Sequence, residues 1–201
     1  MRRDAEPVVA LKVPATTANM GPGFDTFGMA LSLHNRFSVT DVLPEGRFTV
    51  HVAGEGSQEL GDVEKNLLVK SYCRACDEWG VPRRGFALES HNAIPLRRGL
   101  GSSSTAVVAG VMLANLLTDA RAPEDEALRL MTAIEGHPDN VVPCAVGGMT
   151  ISCWDGERLC CVRLPPLPQD LQAVAVVPDC EVSTESAHQL EIGRASCRER
   201  V

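Results

Sequence analysis

The chain has 201 residues, 44% of them hydrophobic and 22% charged, with a formal net charge of −7. That is enough for one good-sized soluble domain or one and a half, and the acidic balance argues against general nucleic-acid binding, which would show a basic face. The longest apolar run is too short to span a bilayer, and no apolar signal core follows Met1–Glu6, so a cytoplasmic location is expected.

In chain order, Val8 to Val13 reads as a strand ended by Pro14, and residues 15–28 as a long loop dense in Gly, Thr, Asn and Asp. Phe37 to Leu43 and Arg47 to Ala53 read as a hairpin around Pro44-Glu45-Gly46. Asn66 is placed to cap a helix whose apolar positions Leu67, Leu68, Tyr72, Ala75, Cys76 and Trp79 run to Gly80 and Pro82. Phe86 to Ile94 reads as a strand. A glycine-rich loop, Pro95 to Thr105, follows it and leads into an apolar helix, Ala106 to Leu117, expected to be buried. Another helix begins near Pro123, with Glu124, Asp125 and Glu126 in its first turn, and ends at Gly136. Met149 to Trp154 and Arg158 to Leu164 form a hairpin about Asp155-Gly156; after the Pro-rich break at 165–168, Leu171 to Val177 begins a new strand. Strands and helices mix without a strict alternation, which favours an α+β fold.

The eight cysteines do not show metal spacing: Cys73 and Cys76 make one CxxC with no second pair, within a helical pattern, and are read as packed reduced thiols. Residues 191–201 break the character of the chain, with three arginines and no apolar period, and resemble a translated sequencing-adapter run. The natural protein is therefore expected to continue past Leu190.

Three segments carry chemistry. Pro95-Leu96-Arg97-Arg98-Gly99-Leu100-Gly101-Ser102-Ser103-Ser104-Thr105 has the layout of an anion site: glycines admit a phosphate to the backbone, and helix-start N–H groups and the macrodipole favour its charge. It is not a Walker A loop, and a glycine–serine turn can also simply cap a helix. The second segment is Pro14 to Asp25, and the third is Glu135-Gly136-His137-Pro138-Asp139-Asn140-Val141-Val142-Pro143 with Gly147-Gly148. Considered as residues alone, Asn19 and Asp25 suit an Asx turn, Glu135 a solvated carboxylate and Asn66 a helix cap.

Together, in this order and spacing, the three segments resemble the homoserine kinases of the GHMP family of small-molecule kinases over residues 8 to about 190. The resemblance implies an α+β fold with an N-terminal, ribosomal-protein-S5-like ATP-binding domain over residues 7–164. The start of a C-terminal domain would occupy 165–190, followed by the non-native tail at 191–201. It implies ATP bound by the Pro95–Thr105 loop with Asn66 near adenine, and Mg²⁺ held by Ser103 and Glu135. It places L-homoserine on Asn19, Asp25, His137 and His188, with Asn140 and His137 beside the transferred phosphoryl group. His188 stands where the family has a carboxylate-binding arginine, a departure that weakens the expected contact. The closing glycine-rich motif of the family is absent, so the chain as written is expected to have little or no kinase activity. Family members are often dimers. Another small-molecule kinase of the family, or a non-catalytic ligand-binding relative, are the alternatives.

Overall fold

A computed structural model describes residues 6–20, 23, 25–168, 174 and 177. Apart from Val174 and Val177, the strand expected over 171–177 lies outside these residues, as do His188 and the tail. The described chain runs β1 (Val9–Ala18), β2 (Phe27–Leu43), β3 (Phe48–Gly54), α1 (Leu67–Glu78), β4 (Gly85–Asn92), α2 (Ser102–Leu117), α3 (Glu124–Glu135), α4 (Pro138–Val146), β5 (Met149–Trp154) and β6 (Leu159–Arg163). One sheet has the order β3-β4-β2-β5-β6, with β1 paired along β2. Alternate residues such as Phe86 and Leu88 on β4, and Phe37 and Val39 on β2, face a core shared with α1, α2 and α3, while Glu89, His91, Arg36 and Thr40 are exposed. The fold is α+β, as expected, with the sheet buried on one face.

The expected hairpin of residues 37–43 and 47–53 is not formed. β4 lies between its two arms, antiparallel to β2 and parallel to β3. The turn at Pro44 to Arg47 therefore arches over the start of β4, where the carbonyls of Leu43, Pro44 and Arg47 close on Gly85 and leave no room for a Cβ. A local turn signal fixes a reversal of direction but not which strand fills the space beneath it. Edge-to-face contacts among Phe48, Tyr72 and Phe86, at 5.0 to 5.9 Å between centroids, dock α1 on this β3-α1-β4 crossover.

Other boundaries differ as well. β2 begins at Phe27 rather than Phe37, because its first half pairs with β1 and β5, so the loop expected over residues 15–28 is shorter than its composition suggested. β1 continues through Pro14 to Ala18 because a register shift between Pro14 and Thr16 absorbs the missing N–H. The apolar helix begins at Ser102 rather than Ala106, so the hydroxyl residues form its first turn. The segment after His137, to which the sequence pattern assigns no element, is helix α4, with Pro138 in its first turn, where a missing N–H costs nothing. The other expectations hold: Asn66 caps α1 by accepting from Val69 N at 3.2 Å, α3 ends at Gly136, and β5–β6 is a hairpin. Cys76 is buried, and the described cysteines are free thiols. No helix among the described residues is long and apolar enough to cross a membrane.

α2 is buried along most of its length and crosses α1 closely at Gly110. A Cβ there would run into the Leu68 carbonyl and lie 2.8 Å from Ser71 Cβ and 2.9 Å from Tyr72 N. Gly110→Ala gains helix propensity but must push the two helices apart; the expected net loss is about 1–3 kcal/mol, read as a lower Tm in thermal unfolding.

Candidate active site

A cleft of about 780 Å³ opens at the N-terminal end of α2, lined by the Pro95–Gly101 loop, the first turn of α2, Asn19, Glu135, His137 and Asn140. Buried Asn35 on β2 sets both ends of the loop. Its Oδ1 accepts from Ala93 N at 2.9 Å and Ile94 N at 3.1 Å, and its Nδ2 donates to Thr105 Oγ1 at 3.0 Å. Leu100 packs with Ala15 and Ile94 beneath the loop, and its carbonyl accepts from Thr16 N at 3.1 Å. The loop is thus tied to the sheet at its entry, middle and exit, while Gly99 and the arginines face outward or into the cleft.

Gly101 enters α2 in the left-handed region at φ 64°, and a Cβ there would strike the Thr16 hydroxyl and lie 3.2 Å from Asn140 Oδ1. Glycine also leaves the helix start without a side-chain cap, and the first turn carries no acidic residue of its own. Its N–H groups and dipole are therefore available to an anion. The carboxylate that does reach this turn is Glu135, whose Oε1 accepts from Ser103 Oγ at 3.0 Å and Ser104 Oγ at 2.8 Å. Glu135 ends α3, where its own dipole disfavours it, but it lies against the start of α2, where a negative charge is favoured.

On the other wall, α4 starts at His137 and packs on β2 at Gly28, which has no space for a Cβ against the Asp139 carbonyl. Asp139 is buried. Its Oδ1 accepts from Asn140 N at 2.8 Å and is bonded to His137 Nδ1. That bond raises the histidine above its ordinary 6.5; burial opposes the rise, and the Asp139, Glu135 and Asp25 carboxylates add to it. Thr16 Oγ1 donates to Asn140 Oδ1 at 2.8 Å. Asn19 and Asp25 both occupy the left-handed region, which these residue types tolerate, and Asn19 Oδ1 accepts from Asp25 N at 2.8 Å. Asp25 Oδ1 is buried without a partner.

Of the residues singled out in the sequence, Asn19, Asn66, Pro95 to Thr105, Glu135, His137 and Asn140 line this one cleft. Asp25 is not among the lining residues and reaches the cleft through Asn19 and the field it exerts on His137. Asn66 spends its Oδ1 on the α1 cap and donates from Nδ2 to the Leu60 carbonyl at 2.9 Å. Arg98 Nη1 is buried without a hydrogen-bond partner, whereas Arg97 pairs with Glu59 at 3.2 Å. Thr16, Asn35 and Asp139 were missed as site residues. Asn35 falls outside the strand expected from the sequence, so no local signal marked it, and nothing local distinguishes Thr16 from its neighbour Thr17.

Residues 66–148 match the family model described as the GHMP kinases N terminal domain. A homoserine kinase of Aquifex aeolicus is 39% identical over 194 residues, covering 96% of this chain and 64% of that relative. One of Streptomyces coelicolor is 41% identical over 185 residues, covering 90% and 59%. The chain therefore spans under two thirds of the length of the curated relatives it matches. The crystal structure of a homoserine kinase from Cytophaga hutchinsonii superposes with a TM-score of 0.74 at 26% identity, over 98% of this chain and 64% of that one. A mevalonate kinase of Methanococcus jannaschii, at 14% identity and a TM-score of 0.61, shares the fold. The glycine-rich loop and the α4 turn both fall within residues 66–148, the segment that matches the GHMP kinase N-terminal domain, and nearly the whole chain is similar to homoserine kinases.

Proposed function

We propose that this chain is the nucleotide-binding portion of a homoserine kinase, which moves the γ-phosphate of ATP to the side-chain hydroxyl of L-homoserine to give O-phospho-L-homoserine. The observation that carries the reading is the meeting of the uncapped start of α2, the Ser103–Glu135 contact and the His137–Asn140 turn in one cleft. The curated relatives at 36–41% identity, all homoserine kinases by name, support the choice of substrate.

The donor set fits Mg²⁺. Ser103 and Ser104 hydroxyls and the Glu135 carboxylate are hard oxygens, and the described residues hold no group of three or more His, Cys, Asp or Glu suited to binding a metal on their own. One carboxylate, completed by hydroxyl and phosphate oxygens, is a usual arrangement for this ion. Ser103 and Glu135 would hold it, and when bound it neutralises charge on the phosphates. The first-turn N–H groups of α2 and the buried Arg98 Nη1 receive phosphate oxygens. The unpartnered Asp25 Oδ1 suits the homoserine ammonium, with Asn19 and His137 orienting the amino acid. Asn140, on the α4 side of the cleft, lies beside the transferred group. It cannot act as a base at neutral pH, so its contribution is positioning and charge stabilisation, the main needs of phosphoryl transfer.

Isothermal titration of ATP into this chain tests the nucleotide reading: Mg²⁺ is expected to strengthen binding, and Glu135→Gln to remove that enhancement while leaving metal-free binding intact. No ATP binding under either condition would sink the assignment. In a protein of the relatives' full length, assayed against homoserine, mevalonate and sugars, homoserine is expected to give the highest kcat/KM. There, Asn140→Ala should lower kcat on the order of 10²-fold, the cost of losing one preorganised hydrogen-bond donor. An unchanged kcat removes Asn140 from the reacting centre.

The raised His137 carries a pH signature. A histidine whose folded value lies above its unfolded 6.5 contributes stability that is fully present below the unfolded value and is lost as pH rises through the folded one. Urea unfolding of the chain and of Asp139→Asn should therefore differ most on the acid side of 6.5 and converge as pH rises above the folded value.

A further inference from the structure

Asn140 faces two groups of opposite character. Thr16 Oγ1 lies 2.8 Å from its Oδ1, and Asp139 Oδ1 lies 3.4 Å from its Nδ2. A hydroxyl can donate or accept, but an ionised carboxylate only accepts. Turning the amide over would set its oxygen against the carboxylate, so Asp139 excludes that orientation and Thr16 rewards the other with its proton. The Asp139 carboxylate also takes the backbone N–H of Asn140 at 2.8 Å, which holds it in place. Thr16 is fully buried and does not line the cleft. It is anchored by the β1 register shift, by its N–H on the Leu100 carbonyl, and by Gly101, which has no Cβ to displace it.

We infer that Thr16 is a positioning residue that locks the Asn140 amide with its oxygen turned into the protein and an N–H turned to the cleft. Asn140 then serves as a hydrogen-bond donor to an anionic oxygen, not as an acceptor for the proton of an attacking hydroxyl. This rests on the kinase reading for the identity of that oxygen, but not for the orientation itself. The long Nδ2–Asp139 separation engages one amide hydrogen weakly, and the second remains for a ligand.

The test is ¹H–¹⁵N NMR of the side-chain amide of Asn140 in this chain, assigned by its loss in Asn140→Asp. The expected result is a well-dispersed, rigid pair of amide protons. Thr16→Val, which keeps the shape and removes the hydroxyl, should shift the pair toward random-coil values and raise its mobility; Thr16→Ser should restore it. An unchanged pair in Thr16→Val overturns the inference. If Thr16→Val does not fold, ¹⁵N relaxation in the unsubstituted chain decides: a rigid amide supports the lock and a freely mobile one overturns it. Adding ATP with Mg²⁺ should move one Asn140 amide proton downfield in the unsubstituted and Thr16→Ser chains. Binding of ATP that leaves both protons unmoved overturns the donor role. Absence of ATP binding overturns the kinase reading instead, and the ligand-free spectra still decide the orientation.

Discussion

The site depends on one constraint: the start of α2 must reach the cleft as an open helix end. A buried helix terminus with unsatisfied N–H groups is costly unless something meets it. Here Gly101 gives no cap, and the nearest carboxylate comes from another helix, through Glu135 on Ser103 and Ser104. The arrangement leaves an electropositive end suited to an anion, with a carboxylate beside it able to share a cation. Both features come from the same geometry, because the end of α3 is delivered to the beginning of α2.

Holding that helix end in place uses apolar packing along α2 and a few polar ties at its head. Gly110 lets α1 and α2 approach to backbone contact, and the valines on either side of it are almost wholly buried. At the head, Asn35 joins β2 to both ends of the glycine loop, and Thr16 joins β1 to the loop and to α4. Each tie satisfies a buried polar group while crossing between elements far apart in the chain. A loop with this many fixed points can present backbone N–H groups without having to be ordered by its ligand.

The two walls have different chemistry. The loop and α2 side offers N–H groups, hydroxyls and Arg98. The α4 side offers an imidazole and an amide, both oriented by Asp139. A single buried carboxylate thus raises the proton affinity of the histidine, anchors the first turn of α4 and excludes one orientation of Asn140. Asp139 lies behind His137 and Asn140 rather than in the cleft lining, which keeps its charge away from any anion held there.

Much of this was legible in the chain itself. The glycine loop, the Asn66 cap, the acidic start of α3 and the β5–β6 hairpin follow from local rules, because caps, turns and periodicity act over a few residues. The residue types at 19, 25, 103, 135, 137 and 140 were likewise sufficient to suggest a family and a chemistry. Tertiary structure alone decided that β4 threads beneath the turn at Pro44 to Arg47, that the serines belong to α2 rather than to a loop, and that the segment after His137 is a helix. It also decided that Thr16, Asn35 and Asp139 matter. Their roles are bonds to partners distant in sequence or fixed by burial, such as Thr16 to Asn140 across 124 positions, and no local pattern encodes which distant group a buried hydroxyl will meet.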